Sequence, residues 1–255
     1  MKPGRALITG ASGGIGAELA RLHAAEGGDL VLVARRQPEL EAMKRELETA
    51  HGINAQAIVT DLTEPDAIQR VHAEAGDIDI LINNAGFGSL GSFHEQSGER
   101  HRSMIALNIS ALTELTHLYL PRMIKKGSGR ILNVSSTASM LPGPYNAVYF
   151  ATKAYVTSFS LALAEEAKGT GVTVTALCPG PVETGFWEAS GMARHQMRGQ
   201  AISAEKTAKV GYKAMMRGNL IAFDDWRLRL ALGWVVPLLP RRMVLWASRR
   251  AMQTR

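Results

Sequence analysis

Tyr149 and Lys153 stand four positions apart in the run VYFATKAY, which sets a phenol and an ammonium on one face of a helix. A phenol ordinarily titrates near pH ~10. Lowering that by about three units takes roughly 4 kcal/mol of differential stabilisation, within reach of a neighbouring cation in a poorly hydrated cleft. The expectation is a tyrosine that exchanges a proton near neutral pH. Ser136, at the end of RILNVSS, brings a hydroxyl able to donate to a substrate carbonyl oxygen. Its neighbour Ser135 faces the opposite side of an extended strand, and the spacing to Tyr149 favours Ser136. Asn108, in MIALN, is a mediocre helix former inside a helical stretch, where its amide can hold a buried water that relays protons to Lys153. A Tyr and a Lys at this spacing, taken alone, describe an ordinary amphipathic helix.

The remainder of the chain supplies a partner for that chemistry. TGASGGIG follows an apolar run and opens a helical stretch, the context a phosphate-binding glycine loop requires. Gly10 permits a tight turn, Gly14 lets backbone approach a pyrophosphate, and Gly16 allows close helix and strand packing, so that Gly10, Ser12, Gly13, Gly14, Ile15 and Gly16 form a candidate dinucleotide cradle. In LVLVARR an arginine, Arg35, occupies the place where an NAD-binding protein usually sets an acid for the ribose 2′-hydroxyl. A guanidinium there, assisted by Arg36, favours the 2′-phosphate of NADP(H); the alternative is a pair of solvated arginines capping the next loop. Asp61, followed by Leu62 in VTDL, can accept from an adenine amino group or cap a helix beginning near Pro65. Asn83, Asn84, Ala85 and Gly86 close another apolar run, where amides can tie strands together and small residues leave room for a ribose.

Short Val-, Ile- and Leu-rich runs at residues 6–8, 30–33, 55–59, 78–82, 130–134 and 172–177 read as buried parallel strands. Helical stretches at 14–26, 38–51, 65–75, 99–126 and 149–168 alternate with them. Right-handed crossovers then give an α/β fold, a doubly wound parallel sheet with helices on both faces and ligands outside the carboxyl ends of the strands. The chain has 255 residues, 46% of them hydrophobic, enough for one core, with residues 1–225 read as one dinucleotide-binding catalytic domain. Residues 185–200, carrying Phe186, Trp187 and Met192, read as a substrate loop or lid before a helix at 203–217.

Composition narrows the function classes. The single cysteine, Cys178, cannot form an internal disulfide, and the histidines show no metal-ligand spacing, so no metal is expected. The first strand begins too early for a secretory signal, and a reducing cytoplasm is the expected compartment. The net charge of +6 resides in the tail, since residues 226–255 hold seven arginines and no acid. Nucleic-acid binding across the body is therefore not expected.

Glycine loop, NNAG, Asn108, Ser136, Tyr149 and Lys153, in this order and spacing from Arg5 to about Thr184, resemble the short-chain dehydrogenase/reductase family. The resemblance implies a single-domain Rossmann fold. It also implies a catalytic tetrad of Asn108, Ser136, Tyr149 and Lys153, with Tyr149 as acid/base and Lys153 also on the nicotinamide ribose. CPGPVET looks like the family's strand-end turn, with Pro179 and Gly180 shaping it, Val182 on the nicotinamide amide and Thr184 in support. Homo-oligomers through the two long helices are implied as well. The arginine-rich tail extends past the usual family end.

The expected activity is reversible, NADP(H)-dependent interconversion of a carbonyl compound and an alcohol by hydride transfer. Phe87, Met140, Leu141, Phe186 and Trp187 suggest an apolar ketone or aldehyde, unless they simply pack the core. The rival function is an NADPH-binding, redox-reporting protein whose tail engages a partner. That tail mixes Trp, Leu and Arg as interfacial membrane segments do, and it equally suits a helix folded on the domain or a subunit interface.

Overall fold

Apolar runs become strands because both faces of the sheet are covered: in the strand Leu30–Ala34 every side chain is buried. The computed structural model describes residues 2–185 and 201–252. In chain order the framework is β1 Ala6–Thr9, α1 Gly14–Ala25, β2 Leu30–Ala34, α2 Gln37–His51, β3 Ala55–Val59, α3 Ala67–Ala75 and β4 Ile80–Asn83. Then follow α4 Gly98–Ile105, α5 Leu112–Lys126, β5 Gly129–Val134, α6 Ala147–Glu166, β6 Val172–Leu177, β7 Val182–Glu183, β8 Ile202–Ser203, α7 Ala204–Met216 and β9 Ile221–Ala222. Seven strands pair in parallel in the order β3, β2, β1, β4, β5, β6, β9; β7 and β8 form a small sheet of their own.

The chain winds outward from β1 to β3, returns to β4, and winds the other way. Strand order therefore reverses between β1 and β4, and a crevice opens beyond their carboxyl ends. Alternation along β1 feeds two cores, with Ile8 among Leu19, Leu32 and Met215 on one side and Leu7 among Val33, Leu81 and Tyr119 on the other. The seventh strand was not expected from sequence. It is two residues long, too short for a periodic signal, and exists because Ala176 and Cys178 donate to the Leu220 and Ala222 carbonyls.

Two polar ties hold the crevice in register. The Asn83 amide donates to Asn133 Oδ1 at 2.9 Å and Thr116 Oγ1 at 3.1 Å, joining β4 to β5 and α5 inside the core. Asn84 Nδ2 donates to the Thr9 carbonyl at 2.9 Å, clamping the end of β4 to the end of β1. Left unpaired, the buried Asn83 amide would cost about 1–3 kcal/mol.

His23 on α1 is fully buried, with Nε2 2.8 Å from the Gly4 carbonyl oxygen and Nδ1 3.1 Å from the Tyr212 hydroxyl. Burial lowers its pKa below the usual 6.5 despite the carbonyl partner. The folded state thus holds a neutral ring, whereas the unfolded chain takes up a proton once the pH drops below about 6.5. Stability attributable to this residue is complete above about 6.5 and is lost as pH falls toward the depressed folded value. Melting temperatures should fall between pH ~7 and ~5, and His23→Gln should flatten that slope while being less stable throughout. An equal slope in the variant would refute the assignment.

Beyond Asp225 the chain continues as α8 Trp226–Leu230, a wide turn Ala231–Val235, a tight turn Val236–Leu238 and α9 Arg241–Met252. Ser248 on α9 donates to the Pro142 carbonyl at 2.6 Å and Arg249 lies 5.9 Å from the Tyr145 ring centroid, so this tail is folded onto the loop between β5 and α6.

Candidate active site

α6 carries polar residues on the face it buries: Thr152, Lys153, Thr157 and Ser160 lie inward with Phe150 and Val156. Helical spacing brings Tyr149 and Lys153 together, and β5 delivers the serines opposite. Ser135 Oγ is turned into the packing between β5 and α6, donating to the Lys153 carbonyl at 3.0 Å and lying 2.7 Å from Thr157 Oγ1. Ser136 instead lines the cavity beside the Tyr149 hydroxyl, and its Oγ accepts from the Ala138 amide at 3.1 Å. The alternation expected along the strand places Ser136, and not Ser135, with the phenol.

Charge at the pair runs against the sequence expectation. Burial pushes the Tyr149 hydroxyl up to about 12, with the Ser136 bond pulling the other way, and burial pushes the Lys153 ammonium down to about 8. The lysine does not bring the phenol toward neutrality. Its Nζ donates to the Val134 carbonyl at 2.8 Å and lies 5.8 Å from the phenol ring centroid, so desolvation outweighs the attraction that spacing alone suggested.

Asn108 occupies a widened helical segment, Ala106–Ala111, inserted between α4 and α5 where a continuous helix was expected. Nδ2 donates to the Phe87 carbonyl and to Thr152 Oγ1, both at 3.0 Å, and Oδ1 accepts from the Phe87 amide at 3.1 Å. A Cβ at Gly86 would fall 3.0 Å from Asn108 Oδ1 and 3.5 Å from Lys153 Nζ, so the glycine is what lets these groups converge.

A cavity of about 1510 Å³ joins the two halves of the site. At one end it is walled by Gly10, Ser12, Gly13, Gly14, Ile15, Arg35 and Arg36, and in the middle by Asn84, Ala85, Gly86, Ser136, Tyr149 and Lys153. Pro179, Gly180, Val182 and Thr184 form a further wall, and Leu90, Leu141 and the tail residues Leu228, Leu232, Trp246 and Arg249 also line the cavity. α1 begins at Gly14 with no side-chain cap at Gly13, so its first amides remain available to an anion. Arg36 bridges to this loop, donating to the Ser12 carbonyl at 2.8 Å, while Arg35 pairs with Asp61 at 3.3 Å. A backbone cradle at a helix start, flanked by two guanidiniums, fits a dinucleotide phosphate chain.

Some expected site residues lie off this wall. Gly16 serves packing, because a Cβ there would strike the Gly10 carbonyl and the Asn84 side chain. Asn108 stands behind Gly86. Asp61 accepts from the Thr63 amide and hydroxyl at 2.9 and 2.8 Å and does not cap α3, which Asp66 precedes; Leu62 is buried in the core. Of the expected substrate loop only Gly185 is among the described residues, and Phe186, Trp187 and Met192 lie outside them. Conversely, sequence reading missed Asp224, whose Oδ1 accepts from the Gly180 amide at 2.9 Å and Oδ2 from Thr207 Oγ1 at 2.8 Å. This buried carboxylate pins the strand-end turn to α7. An acid next to a second acid at the edge of a basic tail carries no sequence signal for that.

The short chain dehydrogenase family model matches residues 5–194. Ketoacyl reductase HetN of Nostoc sp. is 34% identical over 254 residues, covering 94% of this chain and 88% of that protein. A short chain dehydrogenase of Pseudocercospora fijiensis is 36% identical over 185 residues, 70% of this chain but only 60% of the longer relative. Among solved structures, a short-chain dehydrogenase from Sphingobium yanoikuyae in complex with NADPH superposes with a TM-score of 0.86 at 32% identity, covering 99% of this chain and 98% of that one. Cradle, crevice and these likenesses agree, and the chain belongs to the short chain dehydrogenase family of NAD(P)-dependent oxidoreductases.

Proposed function

We propose that the protein is an NADP(H)-dependent carbonyl reductase, reversible as an alcohol dehydrogenase, with Tyr149 as the acid. The observation that carries this is the Tyr149 hydroxyl, beside Ser136 in the same continuous cavity as the uncapped glycine loop and two arginines. When bound, the nicotinamide dinucleotide supplies or accepts the hydride. Gly13, Gly14 and the first amides of α1 hold its pyrophosphate, and Arg35 and Arg36 its 2′-phosphate. Pro179, Gly180, Val182 and Thr184 form the wall for the nicotinamide, with the turn braced by Asp224.

With a pKa of about 12, Tyr149 is protonated at neutral pH and donates to the carbonyl oxygen as negative charge develops there. Ser136 orients and hydrogen-bonds the same oxygen. Lys153, cationic below about 8, stabilises the phenolate left behind. Asn108 has both amide hydrogens engaged and Oδ1 accepting from the Phe87 amide, so it anchors the Phe87 backbone and leaves only the second lone pair of Oδ1 for a relaying water. Leu90, Leu141, Leu228, Leu232 and Trp246 give the cavity apolar lining, which suits a ketone or aldehyde with an apolar body, and the HetN relative is named a ketoacyl reductase. The exposed faces of the long helices, with Ile124 on α5 and Tyr155 and Leu161 on α6, support a homo-oligomer.

The test is NADPH oxidation over ketones and aldehydes of graded size and polarity, repeated with NADH. Charge-assisted bonds to a 2′-phosphate predict NADPH preferred in kcat/KM by roughly 10- to 100-fold, and Arg35→Gly with Arg36→Gly should erase most of that margin. Equal rates with NADH would overturn the cofactor assignment; no carbonyl turnover with either would overturn the reaction.

A further inference from the structure

Three of the chain's four tryptophans lie beyond Asp225, and the structure leaves them facing water: Trp226 is 67%, Trp234 73% and Trp246 64% exposed, with Leu238 at 85%. Folding has not used this apolar surface. The tail has a packed side, where Ser248 bonds Pro142 and Leu232 is buried, so its orientation on the body is set and the tryptophans project from the other side. On α9, Met243, Trp246 and Arg250 recur at helical spacing on the face opposite Ser248. A patch of this kind marks a contact with something outside the chain.

Charge and shape narrow the occupant. Residues 226–255 hold seven arginines and no acid, so a second copy meeting this face about a two-fold axis would set arginine against arginine. The guanidiniums of Arg227 and Arg250 lie 5.6 and 5.7 Å from the ring centroids of Trp226 and Trp246. Each ring is thereby paired with a cation, an arrangement matched to a boundary that is apolar on one side and negatively charged on the other. Beside them a hollow of about 390 Å³ is walled by Val236, Leu239, Met243 and Trp246 with Arg242 among its lining residues, an apolar recess able to accept acyl-chain methylenes. Among the described residues no helix is long and apolar enough to cross a membrane.

We infer that residues 226–252 dock the protein on a bilayer surface containing anionic phospholipid, the tryptophans seated at headgroup depth and the arginines on phosphates. Trp246, largely exposed, and Arg249 also line the catalytic cavity, so docking brings that side of the cavity to the lipid, from which an apolar carbonyl compound can enter. This last consequence rests on the carbonyl-reduction reading; the docking itself does not.

The experiment is sedimentation of the full chain with phosphatidylcholine vesicles and with vesicles in which part of the lipid is phosphatidylserine, at low and high salt. Expected are pelleting with the anionic vesicles, a blue shift of tryptophan emission, and loss of binding as salt rises. Trp234→Ser with Leu238→Ser, and separately Arg241→Gln with Arg242→Gln, should each weaken vesicle binding by about tenfold or more with NADPH binding retained. The comparison of lipids and salt on the unsubstituted chain stands even where a variant fails to fold. Full chain left in the supernatant with anionic vesicles, or equal pelleting by folded variants, would overturn the inference. So would a larger species in light scattering that the Trp234 variant abolishes in the absence of vesicle binding, which would give the face to a second copy. Pelleting by a chain that turns over no carbonyl compound would count against the reductase reading alone.

Discussion

Tyr149→Phe is expected to lower kcat for carbonyl reduction by roughly 10²- to 10⁴-fold, the range associated with a positioned general acid, while NADPH binds almost as before. Phenylalanine keeps the ring that packs edge-on against Phe150 at 6.1 Å between centroids and deletes only the hydroxyl beside Ser136. Because burial holds that hydroxyl at about 12, the wild-type group is a neutral donor across the ordinary assay range, and the deficit should be nearly constant between pH ~6 and ~8. Steady-state rates paired with a fluorescence titration of NADPH check both halves. Turnover at the wild-type level would remove Tyr149 from the reaction.

Lys153→Met is expected to cost about 100-fold or more in kcat without lowering the melting temperature. The ammonium is 5% exposed and its pKa falls from 10.5 to about 8, so the folded state carries the charge at a penalty on the order of 3 kcal/mol near pH 7. The unfolded chain holds this proton more tightly; stability from this residue therefore rises as pH climbs from about 8 toward 10.5, and below about 8 the penalty is complete. Methionine relieves that penalty and loses the bond to the Val134 carbonyl, worth about 1–3 kcal/mol when left unmade, so the two effects offset with a small gain. Activity and stability should part company, as they do where a strained group is kept for function. In the unsubstituted protein the reductive rate should decline as pH rises above about 8, where the cation is lost. A variant that loses stability in step with activity would make Lys153 a structural residue.

Local pattern made much of this protein legible. Six strands and the helices between them follow from apolar runs and turn residues, because a parallel sheet buried on both faces leaves a continuous hydrophobic imprint. The glycine loop could be placed because its glycines lie directly between a strand and a helix, and Tyr149 and Lys153 could be paired because a helix repeats every 3.6 residues. Strand alternation likewise separated Ser136 from Ser135. Each of these relations spans a few residues and obeys a fixed geometry.

Relations between residues far apart in the chain left no such imprint. Whether Lys153 sharpens the phenol or is itself suppressed depends on how much water the surrounding elements exclude, and burial reversed the expected direction for Tyr149. Asp224 reaches Gly180 across 44 positions, and Ser248 reaches Pro142 across 106. The tail was equally compatible with a membrane surface, a subunit contact or a helix packed on its own domain; folding shows one side packed and the tryptophans turned outward. Composition supplied the arginines and tryptophans, but which of them met protein and which met solvent depended on where the docked helix came to rest.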